Sequence, residues 1–120
     1  MPEAHRIDKT IEWVGSSLVD LSSFPQRAKR ITGYALRYAQ KGQTHPKCRR
    51  MKGELRDVTD IRVDDEGDTY RTAYLVTERA IYVLHSFQKK ATKGIATPRH
   101  HLELISQRLQ EAKRHYAQHY

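Results

Sequence analysis

Basic and aromatic residues crowd together in one stretch of the sequence, Tyr82–Pro98, which reads YVLHSFQKKATKGIATP. It begins like a buried β-strand that carries His85 and Phe87, and it then places three lysines within five residues: Lys89, Lys90 and Lys93. Aromatic rings stack on bases and nearby ammonium groups bind phosphates, so the combination predicts a nucleic-acid contact. The alternatives are a strand histidine with a structural role and a solvated lysine loop.

Arg71 is the second residue that could do chemistry, because it lies in the middle of a predicted strand, TYRTAYLVT. A buried charge without a partner is costly, which leaves two interpretations. Arg71 forms a salt bridge to Asp60 or Asp64 on the neighbouring strand, or it is held at the sheet face to bind a phosphate. Its planar fork of donors suits phosphate oxygens.

Arginine, lysine and histidine together could cleave RNA without a metal ion. Cleavage through the 2′-hydroxyl of the RNA needs a base for that hydroxyl, positive charge at the phosphorane and an acid for the leaving 5′-oxygen. These three residue types can supply all three functions. The sequence therefore contains the parts of a metal-free ribonuclease, although composition alone does not establish that they converge.

Other chemistries are not indicated by the sequence. It contains no GxSxG motif, no glycine-rich phosphate loop and no HExxH motif. His115 and His119 have i, i+4 spacing near the end of the last predicted helix, where fraying makes a poor metal site. We therefore expect no metal and no cofactor.

Composition and charge favour a single basic domain that spans residues 1–120. There are 22 Lys and Arg against 14 Asp and Glu, a net charge of +8, which favours a nucleic-acid partner. Simple solubility and an acidic protein partner are the alternatives. Cys48 is the only cysteine, which fits a reducing cytoplasm. Neither a signal peptide nor an apolar run of the roughly 20 residues that a membrane span needs is present, so we expect no membrane partner.

The elements that must position these residues begin with a strand at Thr10–Val14 and two helices. Capping-box spacing at Ser17 and Asp20, and again at Ser23 and Gln26, predicts a short helix followed by a longer one. The apolar stripe of the longer helix is predicted to be Ala28, Ile31, Ala35 and Tyr38. Residues 41–53 form a basic connector in which Pro46 and two glycines argue against regular structure over most of its length. Its Arg49 and Arg50 are candidate RNA contacts, as are Phe87 and Lys93.

Three short-looped strands follow, and they predict an antiparallel meander. They begin at Val58, at Thr69 and at Ala80, and alternation predicts that Ile81, Val83, His85 and Phe87 share one face of the last strand. A closing helix is predicted with Thr97 as its N-cap, Pro98 at its first position and an apolar stripe of Leu102, Ile105, Leu109 and Ala112. The order β-α-α-β-β-β-α predicts an α+β fold with helices packed on the sheet.

The segments YRTAYLV, AIYVLHSFQKKATKGIATP and LELISQRL resemble the HigB-like, phage-derived branch of the RelE/ParE superfamily. These are the toxins of bacterial type II toxin–antitoxin systems, and the resemblance covers nearly the whole chain. It implies a small antiparallel sheet of β-α-α-β-β-β order plus a C-terminal helix. It also implies an mRNA interferase that cuts the message in the ribosomal A site without a metal, and a cognate antitoxin, commonly a helix-turn-helix protein.

The resemblance also implies roles for particular residues. The matching positions are Lys52 of MKG, Arg71 of TYR, and His85, Phe87, Lys89 and Lys90 of LHSFQKK. Arg71 would stabilise the phosphorane, while Lys52 and Lys89 or Lys90 would hold phosphate and assist proton transfer. His85 would be a general acid or base, and Phe87 would stack on a base. The sequence departs from the family pattern at ELRDVTDIR, where Asp60 occupies the position of a glutamate.

Two alternatives to a nuclease share these features. The ParE branch has the same fold but inhibits DNA gyrase by binding, and a basic nucleic-acid-binding module would have no activity. The LHSFQKK cluster favours the nuclease.

Overall fold

A computed structural model of the chain describes residues 8–89 and 97–120, which form an α+β fold. The strands are β1 (Thr10–Trp13), β2 (Cys48–Arg50), β3 (Val58–Asp65), β4 (Asp68–Val76) and β5 (Ala80–Lys89). The helices are α1 (Ser17–Ser22), α2 (Gln26–Gln40), a 3-10 turn at Gly53–Leu55, and α3 (Arg99–His119). The predicted order of elements is confirmed, with β2 as an addition inside the basic connector.

The five strands form one sheet in the order β1-β5-β4-β3-β2. Strands β3, β4 and β5 make the predicted antiparallel meander. The sheet as a whole is mixed, because β1 pairs with β5 in parallel. Two helices separate β1 from the meander, which gives the chain enough length for a parallel return. No helix within residues 8–89 and 97–120 is both long and apolar enough to cross a membrane.

Each face of the sheet is covered by helices. On one face α2 packs its buried alanines and Leu36 against Ile61, Val63 and Tyr74. On the other face α3 packs Ile105, Leu109 and Ala112 against strand side chains such as Tyr82 and Leu84. These three α3 residues confirm most of the predicted stripe of that helix. Burying such side chains on both faces supplies the main driving force for folding.

Three features of the predicted helices were wrong. The two predicted capping boxes do not form, because α1 and α2 begin after Ser16 and Pro25 and neither has a side-chain cap hydrogen bond. Tyr38 was assigned to the apolar stripe of α2, but 41% of it is exposed and its ring lies 4.9 Å from that of His45. Ala39 is buried in its place. Thr97 does not cap α3, because its hydroxyl accepts a hydrogen bond from Arg71 and Pro98 precedes the first helical residue.

A β-bulge in β5 overturns the predicted face of the site residues. Tyr74 lies opposite Val83 and Ala73 lies opposite His85, so β5 contains one extra residue, Leu84. An extra residue reverses the alternation beyond it. His85 and Phe87 therefore lie on the α3 face with Arg71, whereas Val83 lies on the α2 face.

Arg108 of α3 supports this bulge. Its guanidinium donates to the carbonyl oxygen of Leu84 at 2.9 Å and reaches the hydroxyl of Ser16 at 3.3 Å. A bulge leaves backbone groups without their usual ladder partners, and this arginine satisfies one of them. The bulge, the start of α1 and the middle of α3 are thereby tied together.

Candidate functional site

The bulge places the predicted site residues in neighbouring rows on the α3 face. Residues directly opposite in an antiparallel pair point to the same face. In one row Arg62, Arg71 and Phe87 lie opposite one another across β3, β4 and β5. In the next row Arg49 lies opposite Asp60, which lies opposite Ala73. The sheet thus brings together residues that are far apart in the sequence.

Arg71 is buried, with an exposed fraction of 6%, and it is held by two contacts. Its Nη2 forms an ion pair with Asp60, and its Nη1 donates to the Thr97 hydroxyl at 2.9 Å. The salt bridge to Asp60 confirms one of the two predicted interpretations. The Nε of Arg71 has no hydrogen-bond partner among the described residues.

Asp60 balances the charge of Arg71 inside the sheet. Burial raises the pKa of Asp60 above its usual value, although the hydrogen bond and charge of Arg71 act in the opposite direction. The ion pair therefore fixes the Arg71 guanidinium on the sheet face. The Asp60 carboxylate on β3 offsets part of its charge.

His85 forms a hydrogen bond with a histidine that was not predicted to be part of the site. Its Nε2 lies 2.8 Å from Nδ1 of His101 in the first turn of α3. Its Nδ1 is buried and has no partner among the described residues. A neutral ring with its proton on Nε2 fits both observations, because only an acceptor is then left unpaired.

The surroundings of His85 keep it uncharged. Burial, together with the nearby charges of His101 and Arg108, lowers the pKa of His85 to about 4. Burial also lowers the pKa of His101, with a smaller effect from His100. Both rings are therefore neutral near pH 7, a state that suits a proton acceptor rather than a donor.

Phe87 joins the arginine to the histidines. The Cζ atom of Arg71 lies 5.9 Å from the centre of the Phe87 ring, and the His101 ring stacks on Phe87 at 4.0 Å. The His85 ring lies 4.9 Å from it. Phe87 is only 7% exposed, so its ring mainly packs against these neighbours.

A cleft of about 290 Å³ opens beside the rings. It lies where β5 continues past the end of β1, so this part of β5 has no strand neighbour on that side among residues 8–89 and 97–120. Its lining is Asp20, Ser23, Phe24, Tyr70, His85, Ser86, Phe87, Gln88 and His101. The cleft gives solvent access to the histidine pair from the side of α1.

The other predicted cations are distributed unevenly around this centre. Lys89 ends β5 opposite Thr69, and its charge is close enough to affect the pKa of Asp60. Lys90 and Lys93 lie outside the described residues. Lys52, Arg49 and Arg50 are exposed in the connector, and the Nε of Arg50 donates to the carbonyl of Arg56.

Arg62 was missed by the reasoning from sequence. It is exposed, lies directly opposite Arg71 and makes no ion pair with any other described residue. The tight turn at Glu66–Gly67 sets the register of β3 against β4, so this pairing could have been deduced from the turn. Because Asp60 forms its ion pair with Arg71, it offsets the charge of Arg62 only from a distance.

The described residues give no indication of a metal centre. Within 8–89 and 97–120, no three His, Cys, Asp or Glu side chains are grouped so that they could hold a metal ion.

The fold and this face define a small α+β protein with a basic, histidine-containing site. Residues 19–110 match the family described as phage-derived protein Gp49-like (DUF891), and the chain belongs to that family. The family is of the RelE/HigB toxin type.

Among solved structures, a chain of the toxin–antitoxin complex RelBE2 from Mycobacterium tuberculosis is similar, with 16% sequence identity and a TM-score of 0.49. The match covers 69% of this chain and 100% of that chain. No curated protein sequence matches.

Proposed function

We propose that this protein is the toxin of a type II toxin–antitoxin system and that it is an endoribonuclease. It would cut messenger RNA in the ribosomal A site through the 2′-hydroxyl of the RNA itself. Membership of the phage-derived family supports a toxin. The observation that carries the nuclease is Arg71, held on the sheet face by Asp60 with Phe87 and His85 beside it.

Phosphate binding would begin with the two cations beside Arg71. Arg62 and Lys89 flank Arg71 on its sheet face, and neither forms an ion pair with another described residue. A phosphate oxygen would then replace the Thr97 hydroxyl as the acceptor for Nη1 of Arg71. A phosphate oxygen is negatively charged and so attracts the guanidinium electrostatically, which the neutral hydroxyl does not, so this exchange favours the phosphate.

In the chemical step the 2′-oxygen would attack phosphorus while the bond from phosphorus to the 5′-oxygen breaks. Arg71 would stabilise the charge of the phosphorane, which is the role that a fixed cation performs best. Neutral His85, acting with His101, would receive the proton of the 2′-hydroxyl. An ammonium group would protonate the leaving oxygen, for which Lys89, Lys90 and Lys52 are the candidates.

The partners of this proposal are the ribosome with its message and a cognate antitoxin. An antitoxin of the helix-turn-helix type would neutralise the toxin, and both would act in the cytoplasm. No metal and no other cofactor is part of the proposed reaction.

The test is cleavage of a message on purified ribosomes, mapped by primer extension. Arg71→Ala with Lys89→Ala should abolish cleavage, and so should Arg62→Ala with Lys89→Ala, which leaves the buried ion pair intact. The matched control, Lys29→Ala with Arg30→Ala, removes the same charge from α2 and should cleave normally.

Three results would contradict the proposal. The first is full cleavage by both site variants. The second is DNA breakage in cells without cleavage of the message, which would indicate gyrase inhibition. The third is salt-sensitive RNA binding by the wild-type protein without cleavage, which would indicate a binding module.

A further inference from the structure

A connected set of aromatic rings leads from the core of the site to the surface. His85 and Phe87 are buried, with exposed fractions of 5% and 7%, whereas His101 is half-buried and His100 is exposed. The His101 ring lies 4.0 Å from Phe87 on a nearly parallel plane and 4.0 Å from His100. The ring surface that faces solvent therefore belongs to the two histidines of α3.

Stability alone does not account for these histidines. They occupy the first turn of α3, where the positive end of the helix dipole favours acidic side chains, so helix stability does not explain why two histidines are there. His101 is bonded to Nε2 of His85, while the buried Nδ1 of His85 has no partner among the described residues. Buried polar groups without partners are rare, and they concentrate where a structure serves binding or catalysis.

We infer that His100 and His101 form a stacking surface for a nucleobase of a single-stranded RNA. This inference rests on the proposed function. It assigns the predicted base contact to the rings that solvent can reach instead of to Phe87. Imidazole rings offer flat faces to bases, as other aromatic side chains do. The cleft beside His101 leaves room next to the rings.

The position of the rings agrees with the binding of a nucleotide at this face. Arg71 and His101 both contact Phe87, one through its guanidinium and the other through its ring. Arg71 also bonds to Thr97, which lies just before α3 begins. A phosphate at the arginine and a base at the histidines would thus bind side by side, on a strand and a helix that are in contact.

The experiment separates the rings from their nitrogen atoms. His100→Phe with His101→Phe keeps two flat rings and removes the imidazole nitrogens. His100→Asn with His101→Asn removes the rings and keeps a hydrogen-bonding group close to Nδ1. The control is His119→Asn, at the exposed far end of the same helix. Thermal unfolding of each variant verifies that it is folded, and His100→Asn alone serves if the double asparagine variant is not.

Two probes are used at one fixed salt concentration: a 2′-O-methyl oligoribonucleotide, which cannot be cleaved, and an abasic oligomer of the same length. We expect the phenylalanine variant and the control to bind the first probe as the wild type does. The asparagine variant should bind it about 5-fold to 150-fold more weakly, the range expected for loss of one base–aromatic stack. All four proteins should bind the abasic oligomer equally.

Several results would overturn this inference: unchanged binding by the asparagine variant, an equal loss with the abasic oligomer, weak binding by the phenylalanine variant, or no RNA binding by the wild type. Ribosomal cleavage, measured separately, tests the proposed function. Base-dependent binding without cleavage would refute the nuclease and keep the stacking surface. Cleavage by an asparagine variant that binds RNA normally would refute the stacking surface and keep the nuclease.

Discussion

The buried ring of His85 makes the stability of the protein dependent on pH, and His85→Gln tests this directly. Burial lowers the pKa of His85 from 6.5 to about 4. In the unfolded chain the ring regains its ordinary pKa, so between these values the unfolded state binds more protons than the folded state. The free energy of unfolding therefore falls as the pH decreases from about 6.5 to about 4.

The magnitude follows from the size of the shift. One pKa unit corresponds to about 1.4 kcal/mol, so a shift of this size contributes about 3 kcal/mol that is present above pH 6.5 and lost by pH 4. Glutamine does not titrate, and its amide nitrogen can replace Nε2 of His85 as a donor to His101. The variant should lose the part of the pH dependence that is due to His85.

Urea unfolding followed by circular dichroism, at several pH values between about 4.5 and 7.5, measures the effect. Asp60 contributes with the opposite sign, since its raised pKa means that the folded state binds the extra proton. His101 contributes with the same sign as His85. Asp60 and His101 are present in both proteins. The difference in pH dependence between the wild type and His85→Gln therefore reports on His85. Parallel pH profiles for the two proteins would refute the reasoning.

Three further predictions follow from other contacts. Asp60→Asn leaves Arg71 buried without its carboxylate, so urea unfolding should show a loss of about 3 to 5 kcal/mol, and a loss below about 1 kcal/mol would contradict this. Gly15→Ala should lower the melting temperature, because the residue has φ +55° and a Cβ would lie 2.7 Å from an arginine side chain, whereas Gly33→Ala, on an open helix face, should raise it. Burial raises the pKa of Cys48, so its alkylation near pH 8 should be several-fold slower in the native protein than in urea, and equal rates would argue against that shift.

The sequence predicted the elements of the fold because their patterns are local. Alternation in the three meander strands and the 3.6-residue stripe of α3 depend only on neighbouring residues and on one buried face. The bulge at Leu84 has no such signal, since the extra residue is recognisable only from the register against β4. Strand β2 was also missed, because three residues at the edge of a sheet leave almost no pattern.

The site was predictable to the extent that its residues lie on one strand or in one hairpin. Arg71, His85 and Phe87 were identified from types and spacing, and the register that pairs Arg62 with Arg71 follows from the tight turn. His101 was not found, because its contact with His85 spans 16 residues and depends on where α3 begins. Contacts between a helix and a sheet are decided by tertiary packing, which composition does not encode.

The two interpretations of Arg71, a salt bridge and a phosphate contact, are compatible in this geometry. Asp60 engages only Nη2, while Nη1 bonds to a neutral hydroxyl and Nε has no partner among the described residues. Because the carboxylate holds the guanidinium in place, little reorganisation is needed when a phosphate arrives, and preorganised charge is what stabilises a phosphorane most effectively. Arg62 opposite Arg71 keeps this face positive despite Asp60, since one carboxylate cannot offset two guanidinium groups. Under the proposed function, the ion pair would therefore position Arg71 for an anion instead of competing with that role.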